Sequence, residues 1–242
     1  MRQNAYDHFF AEVSKKMEAL TEEQALLPAL CAMERQWQLY LDWTRQDSAF
    51  CLLVKPETLR RPARELLDLL WERLEARATI SPQREAYDGF RQLVEDSYDE
   101  NDGQDVDFGN AALLLEALQD YGFIFFPIRE EVLQRCGPLR RRAAYCATNY
   151  LYRYHADGLA DRVSRDLGRV PCEELDRLTD EYAERDSIWL TETARVREDL
   201  EAARDYPETR DWFRRRREEY SVLCLPPIYP SRDGAGNPCI TF

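Results

Sequence analysis

Apolar residues recur along most of this chain at intervals of three, four or seven, the spacing that places side chains on one face of a 3.6-residue helix. The pattern is clearest from Leu59 to Ala76, where Leu59, Ala63, Leu66, Leu67, Leu70 and Leu74 form a stripe. Leu69 and Trp71 widen that stripe, and Arg64, Asp68, Glu72 and Arg73 fill the remaining angle with charge, which predicts a central helix lying against several neighbours. Phe9, Phe10, Val13, Met17 and Leu20 predict a first helix over Ala5 to Leu20. Thr21-Glu22-Glu23-Gln24 then has the form of a capping box, in which hydroxyl and amide each satisfy the other residue's orphan backbone N–H. The helix it starts runs through Met33, Trp37, Tyr40 and Leu41, with Pro28 expected to kink it or displace its start.

Ser81-Pro82 marks another start, leading through Tyr87, Phe90, Leu93 and Val94. Asp107 caps a helix carrying Phe108, Ala111, Leu114, Leu115 and Leu118, which Tyr121-Gly122 ends. After Gly137-Pro138, a further stripe comprises Leu139, Ala143, Cys146, Ala147, Tyr150, Leu151 and Tyr154. Pro171 opens the longest pattern, in which Leu175, Tyr182, Trp189 and Val196 recur every seven residues and predict one helix running toward Arg204. Tyr206-Pro207 stops it, and Glu208 to Tyr220 forms a last, charged helix with Trp212 and Phe213. Ala49 to Val54 and Phe123 to Ile128 are short apolar runs that fit a strand or a buried turn equally well. The reading is therefore an all-α fold: one multi-helix, bundle-like domain over residues 1–224, at most short strands, and a Pro/Gly-rich tail over 225–242 that is packed on the body or mobile.

Composition narrows the functions. Of 242 residues 33 % are charged and only nine are Gly, which suits long solvated helices, and the net charge of -13 repels phosphate backbones and anionic lipid. Direct binding of nucleic acid is disfavoured, and a basic protein is the favoured partner. The N-terminal segment lacks a signal-peptide apolar run and no window approaches a membrane span, so a cytoplasmic protein without membrane association is expected. Seven cysteines in odd number without close pairs are no disulfide framework, and Cys31, Cys51 and Cys224, among apolar neighbours, read as small core residues.

Glu95 to Asp107 holds seven carboxylates and no Lys or Arg. It fails as a calcium loop, because with Gly103 as the turn glycine the first and last ligand positions are Tyr98 and Gly109. The two histidines, His8 and His155, stand too far apart and too far from paired cysteines for zinc, so no metal is expected. His155-Ala156-Asp157 invites a reading as an oriented base, although residues two apart on a helix diverge; a histidine at a helix end, facing the carboxyl-terminal dipole, is preferred. No nucleophile elbow, phosphate loop or dinucleotide fingerprint is present, so neither an enzyme nor a cofactor is expected. Arg214 to Arg217 point around the whole helix between Asp211 and Glu218-Glu219, which favours pairing within the chain.

Glu34-Arg35 with Tyr40, Leu67-Asp68-Leu69-Leu70-Trp71-Glu72 with Leu74, and the acidic stretch leading into Asp107-Phe108 and Ala117-Leu118 resemble an uncharacterised all-helical bacterial family, the YjaG-like proteins. That resemblance covers about the first half, implies a helical fold and carries no catalytic residues; beyond Tyr121 the chain departs from it. In character and size the chain also resembles immunity proteins of bacterial toxin systems, including the TsiT-like proteins of type VI secretion. The second resemblance implies stoichiometric binding to a cognate secreted toxin, a nuclease being one case. The docking patch is then expected at Glu95, Asp96, Tyr98, Asp99, Glu100, Asp102, Asp105 and Asp107, with Tyr98 as aromatic anchor. The alternative is a helical enzyme or small-molecule-binding regulator with a pocket between helices, using His155 or a cysteine such as Cys146.

Overall fold

The computed structural model describes residues 4–45, 56–76, 87–92, 114, 118, 139–168 and 170–228. The protein is all-α, and no strand occurs among the described residues. In chain order the helices are α1 (Ala5–Glu18), α2 (Glu22–Arg45), α3 (Pro56–Ala76), α4 (Leu139–Arg153), α5 (Ala160–Leu167), α6 (Cys172–Ala183), α7 (Ser187–Arg204) and α8 (Arg210–Ser221). A π-helical segment, Tyr154–Leu159, joins α4 to α5 without a break. Residues 87–92, Leu114 and Leu118 are helical too, with Tyr87, Phe90, Leu114 and Leu118 buried as their spacing predicts. The short runs 49–54 and 123–128 lie outside the described residues.

The chain divides into two compact units, the first formed by Met1–Ala32 with Cys136–Tyr220 and the second by Met33–Arg135 with Ser221–Phe242. The division falls within α2.

In the first unit α1 packs against α4 and α7, and α6 packs against the π segment and α5. Its core includes Val13, Met17, Ala143, Cys146, Leu159, Val163 and Ala203, all without solvent exposure. Helix α1 starts where Asn4 and Asp7 cap each other: the Asp7 N–H donates to the Asn4 side-chain oxygen at 2.8 Å, and the Asn4 N–H to the Asp7 carboxylate at 3.4 Å. The expected box at α2 is formed in the same way, with Thr21 N–H to Gln24 Oε1 at 2.9 Å and Gln24 N–H to Thr21 Oγ1 at 3.2 Å. Pro28 lies inside α2 without displacing its start.

The single helix expected from Pro171 to Arg204 is two. The chain closes a turn after Ala183, and Asp186 adopts extended φ/ψ and accepts the Trp189 N–H at 2.8 Å, which starts α7 afresh. The seven-residue spacing survives the interruption because Trp189 and Val196 are buried on α7 while Leu175 and Tyr182 are half-buried on α6. The Asp186 carboxylate also accepts the Tyr154 hydroxyl at 3.1 Å and pairs with Arg162. One buried acid thereby ties the π segment, α5 and α7 together.

In the second unit α3 begins at Pro56, ahead of its expected start, and carries Pro62 within it. Ala63, Leu66, Leu67 and Leu70 are fully buried, and so nearly is Trp71. Arg64 departs from the expected outward charge: it turns to Glu34 on α2, donating at 2.8 and 2.7 Å to the two carboxylate oxygens, and it also binds Asp68. Its guanidinium lies 5.1 Å from the Trp37 ring. The motif pairs Glu34-Arg35 and Leu67-Asp68 are thus brought together through Arg64. Cys224 corrects another expectation: it is exposed, whereas Cys31 and Cys146 are buried. The described part of the tail, through Ile228, is non-helical and buries Leu225 and Ile228.

Candidate functional site at the His155 cleft

All eight expected docking residues, Glu95, Asp96, Tyr98, Asp99, Glu100, Asp102, Asp105 and Asp107, lie outside the described residues. Within the described residues, polar groups converge instead at a cleft in the first unit, around His155.

His155 sits on the π-helical segment, a geometry that recurs at functional sites because the extra residue displaces side chains from regular helical positions. It is 6 % exposed, and its Nε2 lies 3.0 Å from Oδ1 of Asp180 on α6. The same Asp180 oxygen accepts the Ala5 N–H at the start of α1, at 2.8 Å. The expected helix end needs correction, since the backbone continues directly into α5; His155 and Asp157 diverge as their spacing requires, and the partner is a carboxylate 25 residues further along. The indole of Trp189 packs 5.5 Å from the imidazole and fixes the ring from another side.

The cleft encloses about 250 Å³, with His155, Tyr6, Tyr152, Asp7, Asp176 and Thr179 in its wall and neither Lys nor Arg among the lining residues. The Thr148 hydroxyl donates to the Ala144 carbonyl at 2.9 Å, so the Tyr6 hydroxyl, 3.2 Å away, is the donor to Thr148. Burial pushes the Tyr6 phenol up to about 12, which keeps it neutral. Its ring stands 5.1 Å from that of Tyr152 and 5.8 Å from that of Phe10. Thr179 spends its hydroxyl on the Leu175 carbonyl at 2.8 Å.

Because Asp180 is a carboxylate and already accepts a backbone N–H, His155 donates from Nε2, and in the neutral ring Nδ1 is then a lone-pair acceptor. Among the described residues Nδ1 has no hydrogen-bond partner. The wall therefore offers acceptors and negative charge, with the Asn4 amide and the Tyr152 hydroxyl as donors. It contains no Ser or Cys, and Cys146, the cysteine named for the enzyme alternative, is buried in the α4 core and is absent from the lining. Among the described residues no group of three or more His, Cys, Asp or Glu is arranged to hold a metal ion.

In the arginine cluster of α8, Arg214 pairs with Asp211 and Arg216 with both Glu198 and Glu219 as expected, while Arg215 donates to the Asp211 carbonyl. Sequence reasoning could not connect His155 with Asp180, because nothing local links positions on different helices. The Asn4-x-x-Asp7 box beside the cleft was readable and was missed. No helix among the described residues is long and apolar enough to cross a membrane. Compared with known proteins, the chain matches no family model, no curated protein and no solved structure.

Proposed function

We propose that this chain is an immunity protein that neutralises a cognate secreted bacterial toxin by binding it one to one, the toxin being a basic protein such as a nuclease. The observation that carries the reading is the disposition of charge. Arg61, Arg162, Arg177, Arg195, Arg197 and Arg204 each have a carboxylate of this chain within ion-pair distance, while the whole chain keeps a net charge of -13. Cations held in this way leave an acidic surplus, which speeds encounter with a positive surface and orients it. The stretch 95–107, with its seven carboxylates, concentrates part of that surplus in sequence. The test is growth rescue: the chain is co-produced with the toxic protein encoded beside it, and the mixture is sized. Rescue with a one-to-one complex supports the reading, and toxicity that persists with no complex contradicts it.

A second reading, a small-molecule-binding regulator or a helical enzyme, is favoured by one specific feature, the His155–Asp180 pair in the wall of a cleft. It predicts that His155→Gln abolishes ligand binding or turnover while leaving any protein complex intact.

A further inference from the structure

We propose that the His155 cleft is a binding site for an organic monocation, a primary ammonium or guanidinium head group. A ligand held there meets acceptors: the unpartnered Nδ1 of a histidine that is more than nine-tenths buried, and the carboxylates of Asp7 and Asp176, both on exposed residues at the rim. It also meets the phenol rings of Tyr6 and Tyr152; the Tyr152 ring already attracts one cation, the Arg153 guanidinium at 5.6 Å, and Tyr6 stacks on Phe10.

The positive features nearby are the amino-terminal end of α1, equivalent to about half a charge, and the Arg153 guanidinium, 5.6 Å from the Tyr152 ring. Asp180 already sits on its Ala5 N–H, and Asn4 occupies the Asp7 N–H. Three carboxylates, Asp7, Asp176 and Asp180, outnumber one guanidinium and half a dipole charge and leave the cleft negative, so an anion is rejected and a donor-rich cation is accepted.

Size sets the second limit. Sites for drug-sized ligands and cofactors occupy about 300–1,000 Å³. At about 250 Å³ this cleft takes a lysine or arginine head group or a small free amine, not a nucleotide. His155 contributes the directional element. Asp180 and Trp189 hold the ring, so a single N–H of the cation is met by Nδ1 while the carboxylates supply the field.

His8 and His155 are the only histidines, and His8 is exposed and outside the wall, which makes it an internal control. The full chain, with isotope-labelled histidine rings, is titrated with N-acetyl-lysine methylamide, N-acetyl-arginine methylamide and butane-1,4-diamine. The neutral isostere N-acetyl-norleucine methylamide is titrated in parallel.

The expected result is a saturable shift of the His155 signal with at least one cation, a steady His8 signal and no response to the isostere. Preference for the blocked amino acids assigns the head group to a protein side chain, and preference for the diamine assigns it to a free amine. Asp176→Asn and Asp7→Asn, both at exposed positions and both keeping an acceptor, each weaken binding about threefold. A His155 signal that ignores every cation, one that answers the isostere equally, or affinity unchanged in both variants overturns the proposal. The probes are small molecules, so such a failure leaves the toxin reading to be decided by growth rescue alone.

Discussion

Two acid–base clusters in this protein use similar chemistry to opposite ends. In the second unit Arg64 is surrounded: both oxygens of Glu34 receive its N–H groups in a fork, Asp68 takes others, and Trp37 lies against its face. Glu34 has no solvent exposure and Arg64 only 25 %. Burial works against the Arg64 charge, yet the hydrogen bonds from Glu34 and Asp68 outweigh it and hold the guanidinium more firmly protonated than usual. In the first unit His155 is buried but satisfied on one side only, and it borders open space. A saturated cluster fixes helices and has nothing left to offer a ligand. A cluster with an acceptor to spare at a cleft does have something to offer, and that contrast is why the site is placed at His155 and not at the stronger ion network.

The largest effect that can break this comparison is expected at Arg64. Truncation to Ala leaves Glu34 charged, buried and without its fork, which should cost about 3–5 kcal/mol in unfolding free energy. Replacing both partners with apolar residues, Glu34→Leu with Arg64→Met, should cost less than Arg64→Ala alone, because no buried charge is stranded. Denaturant unfolding measures both variants. A double variant as unstable as the single one would mean that Arg64 acts through Asp68 and Trp37 more than through Glu34.

A smaller effect is expected at Asp186, a saturated acid in the same unit as the cleft. Asp186→Ala removes the α7 cap and the partners of Tyr154 and Arg162, for a loss of about 2 kcal/mol. The same substitution should leave the His155–Asp180 pair in place, read from an unchanged His155 ring signal. If that signal collapses, the two carboxylates are parts of one network and the cleft is not independent of the saturated acid.

The smallest effect belongs to an exposed pair. Arg197 donates to Glu12 at 2.8 and 3.0 Å, and this hydrogen bonding lowers the Glu12 carboxyl from 4.5 to about 2. A depressed folded-state value means that the stabilisation is fully present above pH 4.5 and is lost as pH falls toward 2. Glu12 is one-third exposed, so solvent screening limits the gain to about 0.2–1 kcal/mol. Wild type should therefore be slightly more stable than Glu12→Gln at neutral pH, with the gap closing in acid, as urea midpoints across that range will show.

Much of this fold was legible because helices announce themselves by spacing. The stripe Ala63, Leu66, Leu67, Leu70 and the run Ala143 to Tyr154 are buried where their periodicity puts them. The Thr21–Gln24 box is formed as its letters require. The break at Asp186 escaped because apolar spacing across a turn can mimic one continuous helix; only the cap-forming Asp186-Ser187 pair carried the signal. The cleft was not legible at all. His155 and Asp180 are joined by packing of the π segment against α6, and the Ala5 N–H reaches Asp180 from a helix 175 residues away. Contacts between distant segments leave no periodic trace, and neither does the inward turn of Arg64 to Glu34.

The decisive measurement is the tautomeric state of His155, read from its two ring-nitrogen chemical shifts at neutral pH in the full-length chain. The structure predicts a proton on Nε2, held by Asp180, and an unprotonated Nδ1. A proton on Nδ1 would remove the free acceptor, close the distinction from the Arg64 cluster and contradict the assignment of a binding site to this cleft.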